Sequence, residues 1–300
     1  MTLRASSLIG FFESHREHGD PLVLATVIGT RGSTYSKVGA QMLIDADGLF
    51  HGMLSGGCLE GDLAERARTV IESGEAQAVT YDLARDDELW GMGVGCDGEI
   101  RVLLSPLSAE NGYAPFADMA EALRGREEAP FQLSVPDHEP GEIEITVVPP
   151  PRVLVLGAGL DAEPVVRFAA ELGWRVTVAD HRPAYIDSGN FAAAESCHCV
   201  PAEELSQAVD VSRFDMAIVM SHHLASDRAY LGQLAGSGMT YIGLLGPRAR
   251  RDRLLSELGD GAGDLAERLH GPAGIDIGGR GPAPIALSII AEMQQAWESR

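Results

Sequence analysis

Val153-Leu-Val-Leu-Gly157-Ala-Gly159-Leu-Asp-Ala162, followed by a helical run and then Arg175-Val-Thr-Val-Ala-Asp180, is the stretch that decides the fold. An apolar β-branched run, a Gly-x-Gly-x-x-Ala turn, an amphipathic segment and a second apolar run ending in an acid describe a βαβ unit built for a nucleotide. Gly157 permits the tight turn, Gly159 lets backbone N–H groups approach a pyrophosphate at a helix N-terminus, and Ala162 lets helix and strand pack closely. Asp180 lies 21 residues after Gly159, where an acid accepts hydrogen bonds from a ribose.

From Arg152 onward apolar strands and helical segments alternate. Strands are expected at 153–156, 176–179, 198–200, 216–220 and 241–244, with helices at 224–234, 248–258 and 284–297. That alternation predicts an α/β unit, a Rossmann-like doubly wound parallel sheet over residues 152–300. The first 110 residues read differently. A strand at 21–29, a hairpin across 40–54, a helix at 58–73 and strands at 76–83 and 99–106 predict a smaller α+β domain. Residues 111–151 read as a connector with a short helix near 116–123 and a strand at 142–148, closed by the stiff Pro149-Pro150-Pro151.

Three hundred residues, 45% of them hydrophobic, suffice for two cores. A formal charge of −21 argues against nucleic acid and anionic lipid, because phosphate contacts need an excess of Lys and Arg. No apolar stretch approaches the roughly 20 residues that span a bilayer, and the N-terminus reads as an amphipathic helix instead of a signal peptide. A cytoplasmic protein is expected. Four scattered cysteines read as reduced thiols.

Several constellations can carry chemistry. Ser55-Gly56-Gly57-Cys58-Leu59-Glu60 places a thiol at a predicted helix N-terminus, where the dipole favours thiolate, and Cys96 sits in the glycine-rich 90–98 segment. Two soft thiolates in open loops suit a soft metal; small residues in tight turns are the plainer reading. Arg31 and Ser33, within Gly29-Thr-Arg-Gly-Ser-Thr-Tyr-Ser-Lys-Val-Gly39, read as an anion-binding loop or a hydroxyl-rich turn. Cys197-His198-Cys199 alternates faces on a strand and lacks a second Cys/His pair to complete a zinc site. His222 and His223, with Ser221 and Asp227, follow the fourth strand at its carboxyl end and read either as ligand contacts or as a solvated turn. Arg248, with Arg250, Arg251 and Arg253, follows Gly246 and reads as a phosphate or carboxylate cradle or as a solvated helix face.

Taken in order, Gly29-Thr-Arg-Gly-Ser-Thr, Ser55-Gly-Gly-Cys-Leu-Glu60, Trp90-Gly-Met-Gly-Val-Gly-Cys-Asp-Gly98, Gly157-Ala-Gly159, Asp180-His-Arg182, Ser221-His-His, Tyr241-Ile-Gly-Leu-Leu-Gly246 and Ala286–Glu292 resemble the XdhC/CoxI family across nearly the whole chain. The resemblance implies an accessory chaperone, without turnover of its own, that binds molybdenum cofactor (molybdopterin). It would support sulfuration by a cysteine desulfurase and insert the cofactor into an apo molybdenum hydroxylase of the xanthine dehydrogenase type. It also implies Cys58 and Cys96 as contacts to the molybdenum, with Gly56, Gly57, Arg31 and Ser33 around them. Gly157, Gly159, Asp180, His222 and Arg248 would then hold the pterin's phosphate or nucleotide end, or a separate NAD(P). Leu160 and Ser221 depart from the family's usual histidine and threonine. The competing expectations are an NAD(P)-dependent oxidoreductase, in which Asp180 selects NAD, and a scaffold that binds proteins only. The glycine–cysteine loops favour the chaperone, since neither alternative needs them. Whether a homodimer forms is left open by the sequence.

Overall fold

The structure, a computed structural model, describes residues 2–3, 6–83, 98–136, 141–263 and 265–300. It divides into two compact units, Met1–Pro150 and Pro151–Arg300.

The first unit carries two sheets. Strands β1 (Thr2–Leu3), β2 (Leu22–Gly32), β3 (Gln41–Asp45), β4 (Phe50–Gly52), β5 (Gln77–Asp82), β6 (Gly98–Leu107), β7 (Ala129–Ser134) and β8 (Glu142–Val147) form a five-stranded antiparallel sheet ordered β4-β3-β2-β6-β5 and a three-stranded sheet ordered β1-β8-β7. β2 is the central strand. Leu22 to Ile28 are all buried because both faces of the larger sheet are covered. On one face the helix Glu60–Ser73 lays Leu63, Ala67 and Val70 against Val23, Ala25, Ile44 and Val102. On the other, Leu8 and Phe12 of helix Ser6–His18 and Phe116 and Met119 of helix Phe116–Arg124 meet Leu22, Leu24 and Leu43. Each such fully buried aliphatic side chain contributes about 1.5–3 kcal/mol.

Two expectations change here. The stretch read as a connector, 111–151, belongs to the first unit as far as Pro150: its helix and the β7–β8 hairpin join the core through Leu133, Ile145 and Val147. Arg31 lies on β2, opposite Glu99, and not in a loop, because the strand runs on past an irregularity between Val27 and Gly29. An extra residue at a bulge re-aims every side chain beyond it.

The second unit is a six-stranded, wholly parallel sheet of β9 (Arg152–Leu156), β10 (Arg175–Asp180), β11 (Ser196–Cys199), β12 (Met216–Val219), β13 (Tyr241–Leu244) and β14 (Leu269–His270), ordered β11-β10-β9-β12-β13-β14. Helices Ala162–Glu171 and Pro282–Glu298 cover one face, and Leu224–Leu234 and Arg248–Leu258 cover the other, each over its own apolar cluster. This is the doubly wound α/β arrangement expected from the βαβ signature. The chain steps outward from β9 to β11 and returns beside β9 as β12, so the topological switch point falls between the carboxyl ends of β9 and β12.

Candidate functional site

At the switch point, Gly157 adopts φ +123°, and a Cβ there would stand 2.5 Å from the Met220 carbonyl oxygen and 2.7 Å from the Ser221 nitrogen. Only glycine fits where the β9 turn crosses the end of β12. Next to it, Leu160 is 78% exposed, whereas Gly157, Ala158 and Gly159 are all buried.

The cover over that glycine turn is acidic. A Cβ on Gly159 would meet Asp161 Oδ1 at 2.6 Å and the His222 ring at 3.9 Å. Asp161 is the residue before helix Ala162–Glu171, and its Oδ2 lies 2.7 Å from His222 Nε2. A carboxylate there complements the positive helix end, the charge to which a pyrophosphate would be drawn. His222 itself holds a left-handed backbone, φ +60°, at a cost of about 1–2 kcal/mol for a residue with a Cβ.

Asp180 is turned inward. It is fully buried and accepts hydrogen bonds from the Ala158 N–H at 2.7 Å, the Arg182 N–H at 2.9 Å, and the Arg182 guanidinium at 2.9 and 2.7 Å. Burial pushes its carboxyl up, but the Arg182 fork and the Ala158 amide outweigh burial and hold it below the ordinary aspartate value. Arg182 also lies 3.8 Å from the centre of the Tyr185 ring. The expected ribose acceptor is therefore a structural acid that fastens the glycine turn to the end of β10. Both of its oxygens are engaged within the chain, and the Asp161 carboxylate stands beside Gly159. Asp180→Asn is expected to flatten the acid limb of the stability–pH curve. The folded carboxyl titrates below the unfolded value of about 3.9, so the ion pair's contribution is fully present above that pH and is lost as pH falls through the folded value. Urea midpoints of the two proteins between pH 3 and 6 check this; parallel curves would contradict it.

The remaining residues of this end divide between structure and surface. Asp227, 1% exposed, accepts from Arg250 Nε at 3.0 Å and Nη2 at 2.5 Å and is hydrogen-bonded to Ser221 Oγ. His223 caps helix Leu224–Leu234 through Ser226. Arg250, one turn along helix Arg248–Leu258, is thus the arginine fixed at this end, while Arg248 is the exposed first residue of that helix.

In the first unit the Cys58 loop is organised by an acid. Glu60, 2% exposed, accepts from the Leu54 and Ser55 amides at 2.9 Å through Oε1 and from the Gly57 amide at 3.0 Å and the Ser55 hydroxyl at 2.5 Å through Oε2. Ser55 Oγ in turn accepts from Leu59 N–H at 2.7 Å. Burial raises the Glu60 pKa, but these donors outweigh it and hold it below the usual glutamate value. Gly56 and Gly57 have φ +77° and +110° and are exposed, leaving the half-buried Cys58 at the end of a turn with no side chains to screen it. The helix opens at Glu60, two residues later than expected, so Cys58 precedes the helix instead of beginning it.

The 33–39 turn abuts this loop, with the Tyr35 ring 3.6 Å from where a Gly56 Cβ would lie. Its other end abuts β6: a Cβ on Gly98 would stand 2.3 Å from the Ser33 carbonyl oxygen, and Gly32 pairs with Gly98. Cys96 and the rest of 84–97 lie outside the described residues. Among the described residues no group of three or more His, Cys, Asp or Glu is arranged to hold a metal. Cys197 and Cys199 share the exposed side of β11 and His198 the other, as strand alternation requires. No helix among the described residues is long and apolar enough to cross a membrane. Sequence reading missed Glu60, Asp161 and Arg182. The available signals were an acid directly after the glycine–cysteine turn, an acid directly before a helix, and an Asp-x-Arg at a strand end.

An α+β unit presenting a glycine-flanked thiol, followed by a Rossmann unit, defines the class of protein. Residues 15–82 match the model of the XdhC and CoxI family, and residues 153–293 match that of the XdhC Rossmann domain. The chain is 31% identical to a probable xanthine dehydrogenase subunit of Bacillus subtilis, over 93% of this chain and 94% of that protein. It is 24% identical to the molybdenum cofactor insertion chaperone PaoD of Escherichia coli, over 92% of this chain and 83% of that one. The crystal structure of a xanthine dehydrogenase from Bacillus halodurans superimposes with a TM-score of 0.86 at 30% identity, covering 97% of this chain and 96% of that one. The chain belongs to the XdhC/CoxI family.

Proposed function

We propose that this protein is a molybdenum cofactor insertion chaperone that serves a molybdenum hydroxylase of the xanthine dehydrogenase type. Membership of the XdhC/CoxI family and similarity to a protein named for that activity support the reading. The observation that carries it is the Cys58 turn, in which a partly exposed thiol follows two exposed glycines in a loop tied together by a buried acid. Molybdenum in its dithiolene and sulfido surroundings is soft, and a thiolate is a matching partner. Arg31, Ser33, Gly56 and Gly57 would steady the cargo beside Cys58, with Cys96 as the second thiol. A cysteine desulfurase would supply sulfur while the cofactor is held, and the apo-hydroxylase would receive it. Taken by themselves, Gly157, Gly159, His222 and Arg248 of the second unit would take a phosphate or nucleotide group once Asp161 is displaced, with Asp180 holding the turn.

An NAD(P)-dependent oxidoreductase has in its favour the strand order of the second unit and the Gly157 turn. The engaged Asp180 stands against it. One experiment separates the two. The purified protein is incubated with molybdenum cofactor and desalted, and pterin and molybdenum are counted beside Cys58→Ala and Cys96→Ala, with a parallel NADH titration. Near-stoichiometric retention by wild type, reduced about tenfold or more in Cys58→Ala, is expected, with no NADH binding at ~1 mM. Failure of wild type to retain the cofactor overturns the chaperone reading; full retention by both variants overturns the thiol role.

A further inference from the structure

The second unit contains a polar cavity at the end of the sheet opposite the glycine turn. Along a parallel strand, residues two apart share a face. On the face covered by helix Leu224–Leu234, the carboxyl half is apolar, with Leu154, Leu156, Ala179 and Val200 in one cluster. The amino half of the same rows is polar: Arg152 on β9, Arg175 and Thr177 on β10, Ser196 and His198 on β11. In a doubly wound fold this face is expected to be apolar throughout, because a crossover helix lies on it.

Here the crossover between β11 and β12 is too short to cover it. Its α-helical part is Leu205–Ala208, four residues and about 6 Å long, flanked by the single turns Ala202–Glu204 and Val211–Arg213. Ala202, Leu205 and Val209 fill the apolar half. Beneath the rest lies a cavity of ≈ 230 Å³, open to solvent and lined there by Arg213 and Phe214. That is below the roughly 300 Å³ at which pockets begin to hold drug-sized ligands.

The lining is cationic in a chain whose net charge is −21. Three arginines, Arg152, Arg175 and Arg213, line it with two acids, Glu195 and Asp210. Arg175 pairs with Glu195, and Asp210 accepts from the Ser212 amide and hydroxyl at 3.1 and 2.6 Å. Between the arginines, Thr177 Oγ1 lies 3.1 Å from Ser196 Oγ, which lies 3.2 Å from His198 Nε2, a chain of groups able to donate to an oxyanion. Guanidinium stays charged at any physiological pH and matches the geometry of phosphate oxygens.

We propose that this cavity is a binding site for a compact phosphate group, inorganic or borne on a small ester, separate from the Rossmann cleft and about 15 Å from it along β9. The test is calorimetric titration of the full chain at low ionic strength with inorganic phosphate, pyrophosphate and citrate. Saturable one-to-one binding of phosphate or pyrophosphate is expected. Arg213→Gln, at an exposed position, and Arg175→Gln should each weaken it about tenfold, and Arg68→Gln in the other unit should leave it unchanged. Because Arg175 is tied to Glu195, its variant is read only where its melting curve matches wild type; Arg213→Gln decides otherwise. No saturable heat up to ~10 mM anion overturns the proposal, as does unchanged affinity in Arg213→Gln. Citrate binding tighter than either phosphate overturns the assignment of ligand class.

Discussion

Glu60→Ala should lower the unfolding free energy by roughly 3 kcal/mol and release the Cys58 turn. The carboxylate accepts from three backbone amides and one hydroxyl while itself 2% exposed, so truncation strips the partners from several donors at once. An unsatisfied buried donor costs about 1–3 kcal/mol, and partial hydration of the opened turn recovers some of that. Urea denaturation gives the stability change, and the rate at which a thiol reagent modifies Cys58 reports the turn. Faster modification with lowered stability is the expected pair of results. Glu60→Gln should fall between the two, since one amide oxygen still accepts from Leu54 and Ser55 while its –NH2 faces the Gly57 N–H. Wild-type stability in Glu60→Ala would mean that the loop is ordered by something other than this acid.

Gly157→Ala should cost about 3–5 kcal/mol, combining strain at a positive φ with overpacking. The new methyl would lie 2.5 Å from the Met220 carbonyl oxygen, 2.6 Å from its carbon and 2.7 Å from the Ser221 nitrogen. All three are backbone atoms, so no side chain can rotate away. Gly19→Ala is the control: its φ is +78°, but a Cβ there meets nothing within 4 Å, and only a conformational cost of about 1–2 kcal/mol is expected. Equal losses in the two variants would show that the close approach of β9 and β12 contributes nothing. A selective loss at Gly157 would establish that this glycine holds the switch point together, whatever ligand the cleft takes.

The role of Gly157 could be read directly from sequence, and that of Asp180 could not, although both belong to one fingerprint. The glycine's task is set by its own backbone and by the strand before it. The aspartate's task depends on which donors reach it, and Arg182, two residues on, arrives first. Of Arg248, Arg250, Arg251 and Arg253, read together as one cradle, Arg250 is the one whose side chain reaches the buried Asp227, because position along a helix fixes direction and spacing alone does not. The β7 strand escaped the reading for a different reason. Ala129-Pro-Phe-Gln-Leu-Ser134 is a half-exposed edge strand carrying a proline, so its alternation is weak, and only pairing with β8 stabilises it.

Local periodicity therefore determined the parallel β9–β13 core, the first unit's central strands and the Cys58 turn, because burial on one face or two writes itself into the spacing of apolar residues. The tertiary structure decided what each polar group does. Glu60 became the organiser of a loop, Asp180 a structural anchor and Asp161 the partner of His222, 61 residues away. Hydrogen-bond partners of this kind are brought together by strand order and side-chain direction. Neither is encoded in the residue types at any single stretch of chain.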